Sequence, residues 1–212
     1  MNYDYIIIEG NIGAGKTSLT KMFAEQFNAK LILEQFADNP FLPKFYENPD
    51  RYSFPLELSF LADRYNQLKK DLSHRDLFKS FTISDYYFMK SLIFSKSTLQ
   101  DDEYNLYRQI FDIIYNQLPK PDLYVYLHLT TDNLMKNIKK RGRDYEQNIT
   151  EDYLRKIQNS YFEYFKQQKD FRILILDTNN VDFVNNKEDY KLIIDAIFDN
   201  EYKIGTNRLV LK

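Results

Sequence analysis

The chain has 212 residues, 43% of them hydrophobic, with 29 basic against 31 acidic side chains and a net charge of −2. That is ample apolar material for a core, and too little charge imbalance for a general attraction to nucleic acid or to an anionic membrane. Cysteine is absent and histidine occurs only at His74 and His128, which excludes disulfides, thiolate metal sites and a cysteine nucleophile and argues against a histidine metal site.

The first apolar run, residues 3–9, reads as a buried strand. It starts too early to leave room for a leader peptide, and no later run approaches membrane-spanning length, so a cytoplasmic protein is expected. Three of the chain's five glycines follow within six residues, in Glu9-Gly10-Asn11-Ile12-Gly13-Ala14-Gly15-Lys16-Thr17. This fits the phosphate-loop pattern G-x-x-x-x-G-K-[ST], and the helix-like run 18–27 after it completes the strand–loop–helix context that the motif requires. Glycines let backbone N–H groups converge on an anion, and the helix N-terminus adds partial positive charge. Residues 10–18, ending at Ser18, are therefore expected to hold a nucleotide polyphosphate, with Lys16 on the outer phosphates and the Thr17 hydroxyl on a magnesium ion.

Further strands are expected at 30–34, 81–84, 123–129 and 172–176, making five in all. Helical patterns fall at 51–72, 104–118, 131–140, 150–169 and 189–198, the third and fourth opening on Thr131 and Thr150 as N-caps. Alternating strands and helices imply an α/β fold, a five-stranded parallel sheet with helices on both faces, within one domain spanning 1–212. The tail 201–212 stays open; residues 208–211 are either a short edge strand or a dimer contact.

Ligands of open parallel sheets bind beyond the carboxyl ends of the strands. Glu34 ends the second strand and Asp85 follows the third, while the fourth strand leads through the helix at 131–140 to Arg141-Gly142-Arg143. Phosphoryl transfer needs a phosphate cradle, a metal, a residue that orients the attacking oxygen, and cations over the transferring group. Glu34 is the candidate base. Asp85 is the candidate metal partner of Thr17, directly or through water. Arg141 and Arg143 are candidates for a mobile lid over about 137–149. Each has a plainer alternative: a solvated strand end for Glu34, a helix cap for Asp85, and a basic helix C-terminus with Gly142 as C-cap for the arginine pair. A motor-type ATPase usually has two acidic residues after its third strand, whereas Ser84-Asp85-Tyr86-Tyr87 has one. A small soluble kinase is the class that remains.

Several segments in order are similar to the deoxynucleoside kinase family, and most to its bacterial deoxyadenosine/deoxyguanosine branch. They are the loop from Glu9 to Thr17, Glu34, Phe45-Tyr46-Glu47-Asn48-Pro49-Asp50-Arg51-Tyr52-Ser53-Phe54, Phe60-Leu61-Ala62-Asp63-Arg64, Ser84-Asp85-Tyr86, Arg141-Gly142-Arg143-Asp144-Tyr145-Glu146 and Leu176-Asp177-Thr178-Asn179-Asn180-Val181-Asp182-Phe183. The resemblance covers nearly the whole chain. It implies transfer of the γ-phosphate of ATP to the 5′-hydroxyl of a deoxynucleoside, with Mg2+, in a homodimer. It further implies that Glu34 is the base, that Tyr46 and Glu146 hold the sugar 3′-hydroxyl, that Glu57 stands where the family places a glutamine on the nucleobase, that Arg64 and Asp85 lie nearby, and that Asp182 and Phe183 lie near the donor's adenine. An ionised glutamate only accepts hydrogen bonds, which favours purines and leans towards deoxyguanosine. The alternatives are a nucleoside monophosphate kinase similar to thymidylate kinase, and a non-catalytic nucleotide-binding protein. Three departures stand out: Tyr86 replaces an arginine, Asn137 a third lid arginine, and Ser91 a base-reading aspartate.

Overall fold

A computed structural model describes residues 3–35, 39–74, 76–146 and 148–211; Gln147 of the expected lid and Lys212 of the tail lie outside them. In chain order the elements are β1 (Tyr5–Gly10), α1 (Lys16–Gln26), β2 (Lys30–Ile32), α2 (Leu42–Glu47), α3 (Pro49–Asp71), β3 (Thr82–Ser84), α4 (Met89–Thr98), α5 (Asp101–Tyr115), β4 (Leu123–His128), α6 (Thr131–Arg141), α7 (Glu151–Gln167), β5 (Arg172–Asp177), α8 (Lys187–Phe198) and β6 (Gly205–Val210).

The strands form one parallel sheet in the order β2-β3-β1-β4-β5-β6. β1 is central, with Ile6 beside Ile83 of β3 and Leu123 of β4. Its apolar residues are buried on both faces, as a parallel sheet covered by helices requires. Ile6 and Ile8 pack with Leu19 and Phe23 of α1, Leu134 of α6 and Ile193 of α8. Ile7 faces the other way, into a layer built with Leu61 of α3, Ile93 of α4, Phe111 of α5 and Tyr161 of α7. The chain runs from β1 to β2 and β3 on one side and places β4 on the other, so the crevice beyond β1 is the topological switch point where ligands bind.

The five-stranded expectation is corrected to six strands. β6 pairs with β5 from Arg172–Gly205 to Asp177–Val210, so the tail is an edge strand, starting at 205 rather than 208. Its residues are mostly exposed and polar, and a strand held by its ladder on one side needs no apolar run. α4 was absent from the sequence pattern. It lies between α3, α5 and α7, and the residues it buries, Met89, Lys90, Ser91, Ile93 and Ser95, mix polar with apolar, so no apolar stripe creates a period. Thr150 caps α7, its hydroxyl accepting from the Tyr153 N–H at 3.2 Å, whereas α6 is preceded by Thr130, with Thr131 its first helical residue and no side-chain cap.

Candidate active site

β1 delivers the chain into the loop and α1 begins at Lys16. Gly13 and Gly15 both have φ +85°, and a side chain at either is excluded twice over: a Cβ would stand 2.8 Å from the Leu134 carbonyl oxygen at Gly13 and 2.8 Å from the Phe183 ring at Gly15. Gly15 is the N-cap and has no side chain to accept from the first N–H groups of α1, and the first turn contains no acidic residue, which leaves the helix N-terminus for an anion. Asn11 ties the loop to α7 through the Leu154 carbonyl at 2.8 Å, and Asn137 of α6 donates to the Gly13 carbonyl at 2.9 Å. The Lys16 ammonium donates to the Gly10 and Asn11 carbonyls at 2.9 and 3.0 Å. Burial lowers its pKa to about 8, helped by the repulsion of Lys90 and opposed by Glu9, Glu34 and Asp85.

Two cavities flank this loop. The larger, about 670 Å³, is lined by residues 13–18 of the loop and α1, by Asn133, Lys136, Asn137 and Lys140 of α6, and by Asp182 and Phe183. The smaller, about 120 Å³, is lined by Glu34, Tyr46, Glu57, Arg64, Asp85 and Glu146, the six residues expected around the acceptor. Lys16, Thr17, Arg141 and Arg143 line both. Ile12 lines the smaller cavity, and Gly10 and Asn11 stand behind the loop as acceptors for Lys16.

Glu34 lies two residues past β2. Its Oε1 accepts from Arg64 Nε at 2.9 Å and Nη2 at 2.7 Å, and its Oε2 from Lys90 Nζ at 2.5 Å. Burial opposes ionisation, but the two cations outweigh it and hold the carboxyl down at about 2. Asp85 is not a helix cap, since α4 starts only at Met89. Its Oδ2 accepts from the Thr17 hydroxyl at 2.5 Å and its Oδ1 from the Glu34 N–H at 2.8 Å, so one carboxylate joins α1, β2 and β3. Glu57 is 3% exposed. Its Oε1 accepts from Thr98 at 2.8 Å, and its Oε2 has no hydrogen-bond partner among the described residues. Desolvation pushes it up to about 7, against the pull of Arg64. Arg64 itself bonds Glu34 and, through Nη1, the Ser91 hydroxyl at 2.8 Å. Glu146 bonds Arg141 at 2.5 Å and Arg143 at 3.2 Å, and Gly142 between the arginines is the left-handed C-cap of α6 at φ +69°.

Lys90 is a candidate site residue that the sequence did not yield. It is the one charge in the apolar run 86–94, a signal in itself, because an unpaired ammonium is not buried in a core. Lys90 and Arg64 both pair with Glu34, whereas Tyr86 is fully buried in the core. Asn186-Lys187-Glu188-Asp189 spells the guanine-reading Asn-Lys-x-Asp of GTPases. Here Asn186 is the N-cap of α8, accepting from the Glu188 N–H, and Asp189 accepts from the Asp182 N–H at 2.6 Å; none of the segment lines the larger cavity.

A phosphate loop at the switch point, with two cavities meeting at shared cations, defines a P-loop phosphotransferase. The chain belongs to the deoxynucleoside kinase family, whose model matches residues 6–202. It is 37% identical over 193 residues to the deoxyguanosine kinase of Bacillus subtilis, covering 89% of this chain and 93% of that one. It is 28% identical to the deoxyadenosine kinase of Lactobacillus acidophilus, covering 94% and 97%. The structure of deoxyadenosine kinase from M. mycoides with products dCMP and a flexible dCDP bound superposes with a TM-score of 0.80 at 26% identity, covering 92% of this chain and 100% of that one.

Proposed function

We propose that the chain phosphorylates the 5′-hydroxyl of a purine deoxynucleoside, deoxyguanosine or deoxyadenosine, with ATP as donor, in nucleotide salvage. The observation that carries this reading is the junction of the two cavities at Lys16, Thr17, Arg141 and Arg143. The donor's phosphates lie on the loop, its adenine towards Asp182 and Phe183, and the deoxynucleoside fills the smaller cavity. Tyr46 and Glu146 take the sugar 3′-hydroxyl, and Glu57 the base. The bond between the γ-phosphorus and the β–γ bridging oxygen breaks, the bond to the 5′-oxygen forms, and the hydroxyl proton passes to Glu34. In a loose transition state that proton leaves late, so a carboxylate as acidic as Glu34 serves first to orient the hydroxyl.

Thr17 and Asp85 offer a hydroxyl and a carboxylate side by side, the hard oxygen donors that Mg2+ takes when phosphates and waters supply the rest. Among the described residues no cluster of three or more His, Asp or Glu could hold a metal by itself. The ion would neutralise charge developing on the β- and γ-oxygens. Residues 137–149 act as a lid in which Arg141 and Arg143 exchange Glu146 for phosphate oxygens when the donor binds. The protein works as a cytoplasmic homodimer; among the described residues no helix is long and apolar enough to cross a membrane.

An acceptor panel tests the reading: the four deoxynucleosides and the corresponding monophosphates, each with ATP–Mg2+. Purine deoxynucleosides should be turned over. Phosphorylation of monophosphates alone would support the thymidylate-kinase-type alternative, and ATP binding without transfer the non-catalytic one. Glu34→Gln should lower turnover by about two to four orders of magnitude while leaving ATP affinity in place. Near-normal turnover would remove Glu34 from its role.

A further inference from the structure

Glu9 precedes the phosphate loop and takes no part in the proposed transfer. It is wholly buried in β1, beneath the site. Such a carboxylate persists only if its partners compensate for lost hydration. Three donors reach it: the Gly10 N–H at 3.1 Å, the Tyr87 N–H at 3.2 Å and the Tyr161 hydroxyl at 3.0 Å. They belong to the loop, to the segment between β3 and α4, and to α7. Burial raises its pKa; Lys90 and Lys16 pull it back down, and the nearby Glu34 carboxylate adds to the rise. Tyr87 is also the residue whose carbonyl accepts from the Lys90 N–H, at 3.0 Å, and so sets where α4 begins. A path of contacts therefore runs from Glu9 through Tyr87 to Lys90, whose ammonium holds Glu34.

We propose that Glu9 is a positioning residue of the transfer site: it fixes the start of α4 against the phosphate loop and thereby holds Lys90 where it orients Glu34. This rests on the kinase reading above. Nothing about Glu9 requires contact with either substrate. Glutamine in its place keeps the size but brings an NH2 group that faces either the Tyr87 N–H or the Gly10 N–H together with the Tyr161 hydroxyl, and a backbone N–H cannot reverse its polarity to accept. The start of α4 would shift and Lys90 with it.

Coupling distinguishes positioning through Lys90 from a general structural role. Turnover per ATP-binding site is measured for wild type, Glu9→Gln, Lys90→Met and the double variant, with KM for both substrates and melting temperature. Glu9→Gln should lower turnover about tenfold in the wild-type background and less than about twofold once Lys90 is Met, with both KM values within about threefold of wild type. Equal losses in the two backgrounds, or no loss in either, would overturn the proposal. If Glu9→Gln does not fold, Tyr161→Phe, which removes a single donor to Glu9, takes its place in the same cycle, with an expected loss of about threefold that vanishes with Lys90→Met. Wild type measured alongside keeps the two readings apart: an inactive wild type refutes the kinase function, whereas an active wild type with additive variants refutes only the role of Glu9.

Discussion

Glu34 and Glu57 line the same cavity, yet their surroundings drive them in opposite directions. Arg64 and Lys90 hold Glu34 ionised at about 2, overcoming its burial; Glu57, with one hydroxyl partner and one oxygen that has no hydrogen-bond partner among the described residues, is pushed by burial to about 7. Below that point Glu57 is a carboxylic acid that both donates and accepts, as an amide does; above it, it only accepts, matching the N1–H and N2–H donors of guanine. The ratio of deoxyguanosine to deoxyadenosine turnover should therefore rise between pH 6 and 8 (about one unit either side of that value) and become independent of pH in Glu57→Gln. A ratio that stays flat in wild type would remove Glu57 from base reading. Stability carries the same sign. A carboxyl raised on folding loses stability as pH climbs from its ordinary value through about 7, so Glu57→Gln should melt higher than wild type at about pH 8 and not at about pH 5. Glu34 behaves conversely: its contribution is complete above its ordinary range and is lost as pH falls towards 2. The identities of both carboxylates were legible from strand ends and resemblance. Their charge states were not, because the cations that hold Glu34 down and the burial that raises Glu57 come from residues remote in the chain, Lys90 standing 56 residues from Glu34.

Among the elements, the strand–loop–helix at the start was fully readable, because its glycines, lysine and threonine are dictated by local backbone geometry. α4 was not, since its buried residues mix polar with apolar, and β6 was so only as one of two alternatives, since an edge held by its ladder needs no apolar run. The same distinction separates two glycines that both have positive φ. Gly13 faces the Leu134 backbone carbonyl of α6 at 2.8 Å, a neighbour that cannot rotate away, whereas at Gly142 an added Cβ meets nothing within 4 Å. Gly142→Ala should cost only the left-handed backbone strain, about 1 kcal/mol, seen as a melting shift of about 2–4 °C with ATP affinity near wild type. Gly13→Ala adds a collision between the loop and α6 and should abolish ATP binding, measured by calorimetry. Equal effects of the two would mean that contact with α6 does not shape the loop.

For the molecule as a whole, the parallel sheet and its two helical layers followed from alternating patterns, but what α5 packs against did not. Its Tyr107 and Phe111 belong to the core, Phe111 stacking on Phe88 at a centroid distance of 4.8 Å. The outer side of α5 is mostly polar, with Asp102, Asn105, Arg108, Gln109 and Asp112 exposed, but it also carries two exposed aliphatic residues: Leu106 is 51% and Ile113 71% exposed. The two are seven residues apart, two helical turns, and so share a face. A second copy of this chain is the occupant that the family resemblance supports, and burying such a face against its own copy removes apolar surface from water on both sides. Sedimentation at micromolar concentration should give about twice the mass of one chain for wild type, and Ile113→Glu, which buries a charge at that contact, should shift the equilibrium towards monomer without lowering the melting temperature of the monomer itself. A wild-type protein that sediments as a single chain, or an Ile113→Glu variant as dimeric as wild type, would rule out association through α5.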